Sequence, residues 1–311
     1  MFKLPDKFPN LTDDVSDITD FYEFKCLKSK RGRIPFREIY RAAAQGDDEV
    51  EINGIEDESD IFNNEKFDEV CAEIQRREQA CGGNYPFSIE NGGYALKLEL
   101  PIESWATVNY AYLLLATRLN MRDDRTQNCI DGTLLFENFS AQVAKNYWGE
   151  RANCLVFGTA SIGASFPDKV NDLCKKLGEG TAFKTRNKSK PTEKDAKLDV
   201  VVWKTFHDER QSKLIGFGQC KTGTHWEESI SQLQPDAFCR NWLEDAPAVS
   251  PVRLYFICDS FPSDQWYSKA SNAGIIFDRF RIMDFLPSNL EDQLQDKVKK
   301  WVGAALDFIK S

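Results

Sequence analysis

The chain has 311 residues, 41% of them apolar and 29% charged, with a formal net charge of -9. That length and composition allow two domains, or one large domain with an appendage, and exclude disordered, collagen-like and low-complexity chains. The acidic balance argues against nonspecific coating of nucleic acid, because phosphate repels an acidic surface, but leaves open contacts made by local charge.

Met1 to Pro9 holds no continuous apolar stretch, and the longest apolar run, Ala111 to Ala116, is far too short to cross a bilayer. A soluble, cytoplasmic protein with no membrane partner is expected. Residues 14 to 45 read as helical in two pieces, with Asp17 or Thr19 as candidate N-caps and a break at Ile34-Pro35. The stretch Asp47 to Asp60, which carries acids and no base, reads as a loop. Asn64 opens a patterned helix through Arg77, with Phe67, Val70, Cys71 and Ile74 on one face, ending before Gly82-Gly83. Gly93 to Leu100 alternates as a short strand, and Ala106 to Leu119 reads as another helix. Residues 1–125 thus form a small, mainly helical region. It is acidic and carries no nucleic-acid motif, so contact with a partner protein or with a second copy of the chain is its expected role.

Met121 to Thr126 is polar and aperiodic and marks the boundary to a second domain, residues 126–311. An amphipathic helix, Gly132 to Trp148, sets Leu135, Phe139, Val143 and Tyr147 at helical spacing. A strand, Cys154 to Phe157, and a helix, Pro167 to Leu177, ending at Gly178, come next. Strands Leu198 to Phe206 and Lys213 to Lys221 flank a polar loop. Then come a long helix, Glu227 to Leu243, a strand, Val252 to Cys258, a helix, Trp266 to Asn272, a strand, Ile275 to Phe285, and a closing helix, Leu290 to Ile309. This order predicts an α/β fold, a mixed sheet with helices on both faces. Nine cysteines with no C-x-x-C pair, and only His207 and His225 beside them, supply no converging ligand set for zinc; they read as reduced, mostly buried thiols.

The two strands around residue 210 form a hairpin. If Phe206 faces Lys213, Asp199 lies opposite Cys220, within one step of both Gln219 and Lys221. A shift of one residue sets it across from Gln219 or from Lys221. Period-two alternation places Gln219 and Lys221 on one face and turns Cys220 away. A carboxylate, an amide oxygen and an ammonium at one end of a hairpin suit Mg²⁺ (or Mn²⁺), which takes oxygen ligands and retains several waters. The ammonium would orient a water and neutralise charge on a phosphate. A cross-strand ion pair of Asp199 and Lys221, with Gln219 exposed, is the alternative.

Asp199 on one strand and Gln219-Cys220-Lys221 on the next resemble the core motif of the PD-(D/E)XK, or restriction-endonuclease-like, nuclease superfamily, in its Gln-x-Lys (Mrr-like) variant. The resemblance covers residues 130 to 290 in topology and implies a restriction-endonuclease-like mixed central sheet flanked by helices. It implies that Asp199, Gln219 and Lys221 are catalytic and that Glu137, on the preceding helix, is a fourth member. Metal ligands would be Asp199, Gln219, the Cys220 carbonyl and Glu137. The activity implied is metal-dependent hydrolysis of phosphodiester bonds in nucleic acid, with DNA the expected form, in bacterial restriction or anti-phage defence. Gln219 stands where Glu is commoner, so the site carries less negative charge. The alternative is a restriction-endonuclease-like subunit that binds nucleic acid or serves a larger complex without cleaving.

Bases dominate Lys184 to Lys197, and Lys184, Arg186, Lys188 and Lys190 are candidate phosphate contacts beside the metal strand. Gly158 to Ser165 has the glycine spacing of a phosphate loop, but Ala164 stands where the lysine is required, which excludes nucleotide binding there. A Cys220–His225 thiol nucleophile is rejected because alternation turns Cys220 from its charged neighbours.

Overall fold

The computed structural model describes residues 2–4, 9, 13–36, 56–90, 93–158, 165–185, 197–288 and 290–309, with side chains of the second helix described from residue 65. Helix α1, Val15–Lys28, stands where helix was predicted, but Ile34-Pro35 does not break a helix. It lies in strand β1, Arg33–Pro35, where the fixed φ of proline suits an edge. Helix α2, Glu56–Ala80, begins inside the acid-rich stretch that was read as a loop. Acids are favoured in a helix's first turn, a preference that apolar periodicity does not register. Strands β2, Phe87–Ile89, and β3, Ala95–Leu98, complete a small antiparallel sheet in the order β1-β3-β2. Helix α3, Trp105–Arg118, is mostly apolar and buried along its length, its Arg118 included.

The polar segment after α3 leads into a two-stranded hairpin, β4, Thr126–Gln127, and β5, Ile130–Asp131. Helix α4, Gly132–Trp148, has the predicted bounds, because Asp131 caps it by accepting the Thr133 and Leu134 N–H groups at 2.8 and 3.4 Å. Strand β6 is Ala152–Val156. Helix α5, Phe166–Leu177, starts in a capping box of Ser165 and Asp168 and stops at Gly178, whose φ of +67° is the left-handed conformation that glycine adopts most readily. Strands β7, Val200–Lys204, and β8, Leu214–Lys221, form the predicted hairpin.

Beyond β8 two expectations are corrected. The long helix Glu227 to Leu243 is a 3-10 turn, Glu227–Ser229, and a separate helix α6, Pro235–Trp242. Pro235 sits in the first turn of α6 and holds Gln234 extended, which interrupts any helix running through it. After β9, Val252–Ile257, and α7, Trp266–Ala273, the strand Ile275 to Phe285 divides into β10, Ile275–Phe277, and helix α8, Arg279–Asp284. Asp278 makes that break, accepting the Arg281 N–H at 3.0 Å as an N-cap. Helix α9, Asp292–Phe308, ends the described chain.

The fold is mixed α/β. Its central sheet has five strands in the order β10-β9-β8-β7-β6, antiparallel from β6 to β8 and parallel from β8 to β10. Alternation divides the side chains between two helical layers. Val202, Leu254 and Phe256 share a core with Phe139, Val143 and Trp148 of α4. Gly216 permits this contact, since a β-carbon there would stand 3.0 Å from the Trp148 ring and 2.9 Å from Val202 and Leu254. On the other face Val201, Trp203, Ile215 and Phe217 meet Val170 and Leu173 of α5 and Phe238 and Trp242 of α6.

The N-terminal elements share the first of these cores, which runs from Phe21 of α1 and Tyr110 of α3 to Phe280 of α8 and Trp301 of α9. A buried charge cluster joins the same segments. Asp20 Oδ1 accepts from Arg77 and Arg279, both at 2.6 Å, and Oδ2 accepts from Arg118 at 2.7 Å and Arg279 at 2.9 Å. Glu23 takes the hydroxyls of Tyr85 and Tyr110 at 2.6 and 2.9 Å. No helix among the described residues is long and apolar enough to cross a membrane.

Candidate metal centre at the end of the central hairpin

The observed register pairs Val200 with Gly218, which sets Asp199 across from Gln219, one of the three arrangements the loop allowed. Asp199 is where three strands converge. Its N–H donates to the Gly218 carbonyl at 2.9 Å, and its own carbonyl accepts from Phe157 at 2.7 Å and Gly158 at 3.3 Å, at the end of β6. Its carboxylate Oδ2 accepts the Cys220 N–H at 2.7 Å. Burial pushes the half-buried Asp199 carboxyl up to about 6, against the opposing pull of the Cys220 N–H and the charges of Lys221 and Lys197.

Gln219 is buried, at 1% exposure, and lies beside Tyr255 in the parallel ladder with β9. Its amide Oε1 has no hydrogen-bond partner. The neighbouring Tyr255 hydroxyl is committed elsewhere, donating to the Trp226 carbonyl at 2.6 Å. Lys221 is half-buried and lies on the Gln219 face of β8 by alternation, two residues along, close enough for its charge to act on Asp199.

Glu137 of α4 approaches Gly158, beside the Asp199 backbone. Glu137 is half-buried, and its Oε2 stands 3.0 Å from where a β-carbon on Gly158 would lie, so a side chain there would push the carboxylate back by a few tenths of an ångström. Gly158 in turn donates its N–H to the Asp199 carbonyl. Cys220 registers both acids: burial holds its thiol well above the usual range, and the charges of Asp199 and Glu137 add to that. The thiol side of Cys220 packs toward the α4 core, so the backbone N–H is its contribution to the cluster. A protonated, buried thiol is no nucleophile, and His225 is exposed.

Sequence reasoning missed Lys169. Its Nζ donates to the Gly158 carbonyl at 2.8 Å from a buried position on α5, holding the glycine against which Glu137 rests. The available signal was its place on the apolar face of α5, one turn after Phe166 and beside Val170.

Of the candidate phosphate contacts, Lys184 is exposed and its Nζ stands 3.6 Å from Glu244, while its N–H donates to the Trp242 carbonyl. Arg186, Lys188 and Lys190 lie outside the described residues, as do residues 159–164 of the glycine-spaced stretch. Among the described residues no three His, Cys, Asp or Glu side chains form a group able to hold a metal ion. A cation at this hairpin would therefore rest on the Gln219 amide oxygen and backbone oxygen as well as on carboxylates. No protein-family model, curated protein or solved structure matches the chain.

Proposed function

We propose that the chain is a metal-dependent nuclease that hydrolyses phosphodiester bonds of nucleic acid, with DNA the expected substrate. The observation that carries this reading is the Gln219 Oε1 atom, buried and without a hydrogen-bond partner, on the residue that the register sets across from Asp199. Leaving a buried acceptor unsatisfied costs about 1–3 kcal/mol, and a hard cation is the partner that an amide oxygen next to a carboxylate fits best. Asp199, Gln219, Glu137 and the Cys220 carbonyl would hold Mg²⁺ or Mn²⁺. The ion supplies Lewis-acid polarisation of a phosphate oxygen.

The protein's own residues supply the rest. The Cys220 N–H fixes the Asp199 carboxylate, and the Asp199 N–H, donated to the Gly218 carbonyl, fixes its backbone at the strand end. Lys169 and Gly158 keep open the space that Glu137 enters. Lys221 brings a positive charge that orients an attacking water and offsets the negative charge growing on the phosphate. A setting in bacterial restriction or defence rests on the family resemblance alone.

The test is plasmid DNA incubated with Mg²⁺ or Mn²⁺. Wild type cuts it, whereas Lys221→Ala is slower by at least about 100-fold, the scale of losing one transition-state donor. Absence of cleavage of both DNA and RNA by wild type would remove the nuclease reading. A non-catalytic subunit of the same fold is the second reading, favoured by one contact: the Cys220 N–H already occupies Asp199 Oδ2, as a purely structural strand-end bracket requires.

A further inference from the structure

A second polar site lies where the chain leaves the parallel strands β8 and β9, a crevice of about 390 Å³ closed on its other side by the start of α1. Crevices outside the carboxyl ends of parallel strands are where open α/β sheets place small ligands, and this volume lies within the range of such sites. The lining is rich in acceptors. Thr224 is 7% exposed and its Oγ1 has no hydrogen-bond partner. Asp259 is 8% exposed; its Oδ2 takes the Trp226 indole N–H at 3.0 Å, and Oδ1 accepts from no described group. The Ser16 and Ser260 hydroxyls meet at 3.3 Å. Asp14, at the mouth, makes no capping bond to its own helix.

Arg76 is the one lining cation among the described residues, and its Nε and one of its terminal nitrogens donate to Glu73 at 2.7 and 2.8 Å, whereas Asp14, Asp17, Glu73, Glu227 and Asp259 all line the crevice. Acids outnumber bases in this lining, so the crevice favours a cation over a phosphate or a carboxylate. Burial holds the Asp259 carboxyl above its usual range against the opposing charges of Arg118 and Arg279, and Lys3 also feels its charge.

We infer that this crevice binds a small organic cation through a primary ammonium or guanidinium group, with Asp259 and Thr224 as its inner acceptors and Asp14 at its mouth. An ammonium carries three donors and a guanidinium five, which matches acceptors converging from several elements. The inference is independent of the nuclease reading, since none of these residues belongs to the Asp199 cluster.

Calorimetric titration of the full chain with agmatine and with spermidine tests it. Saturable binding of at least one of them is expected. Thr224→Val should weaken it by about fivefold, the scale of one lost hydrogen bond. The same change removes a buried unsatisfied hydroxyl, so the melting temperature should hold or rise, which separates lost binding from lost fold. Asp259→Asn should weaken binding by about tenfold or more, as expected of a bond to a charged group. Lys221→Ala should leave it unchanged. Failure of both cations to bind saturably would overturn the assignment. So would undiminished binding by Thr224→Val, which decides the matter even if Asp259→Asn does not fold.

Discussion

The charges around Asp20 and those around Asp199 are both withdrawn from water, and the protein treats them in opposite ways. At Asp20 burial works to raise the carboxyl, but the guanidiniums of Arg118, Arg279 and Arg77 overcome it and hold the group well below the usual carboxylate range. Each oxygen accepts two charge-assisted hydrogen bonds, and the contacts tie α1 to α2, α3 and α8. At Asp199 burial prevails, and the carboxyl rests at about 6 with a single N–H on one oxygen and an unsatisfied amide oxygen across the strand. A charge cluster that the chain completes for itself serves the fold, whereas the incomplete one at Asp199 is where the proposed cation would find its ligands.

The largest expected effect breaks the first cluster. Asp20→Ala leaves three buried guanidiniums short of a counter-charge and should cost about 3–5 kcal/mol in chemical denaturation, or prevent folding. A loss under about 1 kcal/mol would mean that the arginines are satisfied without it. Next in size, Lys221→Ala should abolish most DNA cleavage while leaving the melting temperature unchanged, because its ammonium is half-buried and no described core depends on it.

Asp199→Asn sharpens the contrast with Asp20 through pH. A carboxyl whose folded pKa is raised contributes stability that is fully present below about 4 and is lost as pH rises through about 6. The isosteric amide still accepts the Cys220 N–H, so at pH 8 the variant should be as stable as wild type or more so, and the pH dependence between 4 and 6 should flatten. Wild-type metal affinity should run the other way, rising as pH rises to about 6 and levelling above it, since only the carboxylate binds a cation. Smallest in stability is Gln219→Leu, which replaces an unsatisfied amide by an apolar group of similar size. A change of no more than about 1 kcal/mol is expected, and a larger loss would show that the amide has a structural partner.

Much of this contrast was legible in the sequence on one side only. The hairpin was readable because β-branched runs alternate around a polar loop, and any of its registers brings Asp199 to Gln219 and Lys221. Helix α4 was readable from its apolar spacing, which put Glu137 on that helix but not against Gly158. The Asp20 cluster was not visible: Asp20 and Arg279 lie 259 residues apart, and nothing local marks an arginine as buried. Lys169 and Thr224 escaped for a related reason, since their significance lies in which backbone oxygen is reached or which hydroxyl is left alone. The misplaced helix at 227–243 and strand at 275–285 were local errors, correctable from Pro235 and Asp278.

Titration calorimetry with Mn²⁺ near pH 7.5, on wild type and on Gln219→Leu, tests the central claim most directly. The account predicts saturable binding by wild type that weakens by about tenfold or more when the Gln219 oxygen is removed, with the melting temperature preserved. Equal binding by both proteins, or no binding by wild type, would contradict it and leave Asp199 as a strand-end bracket.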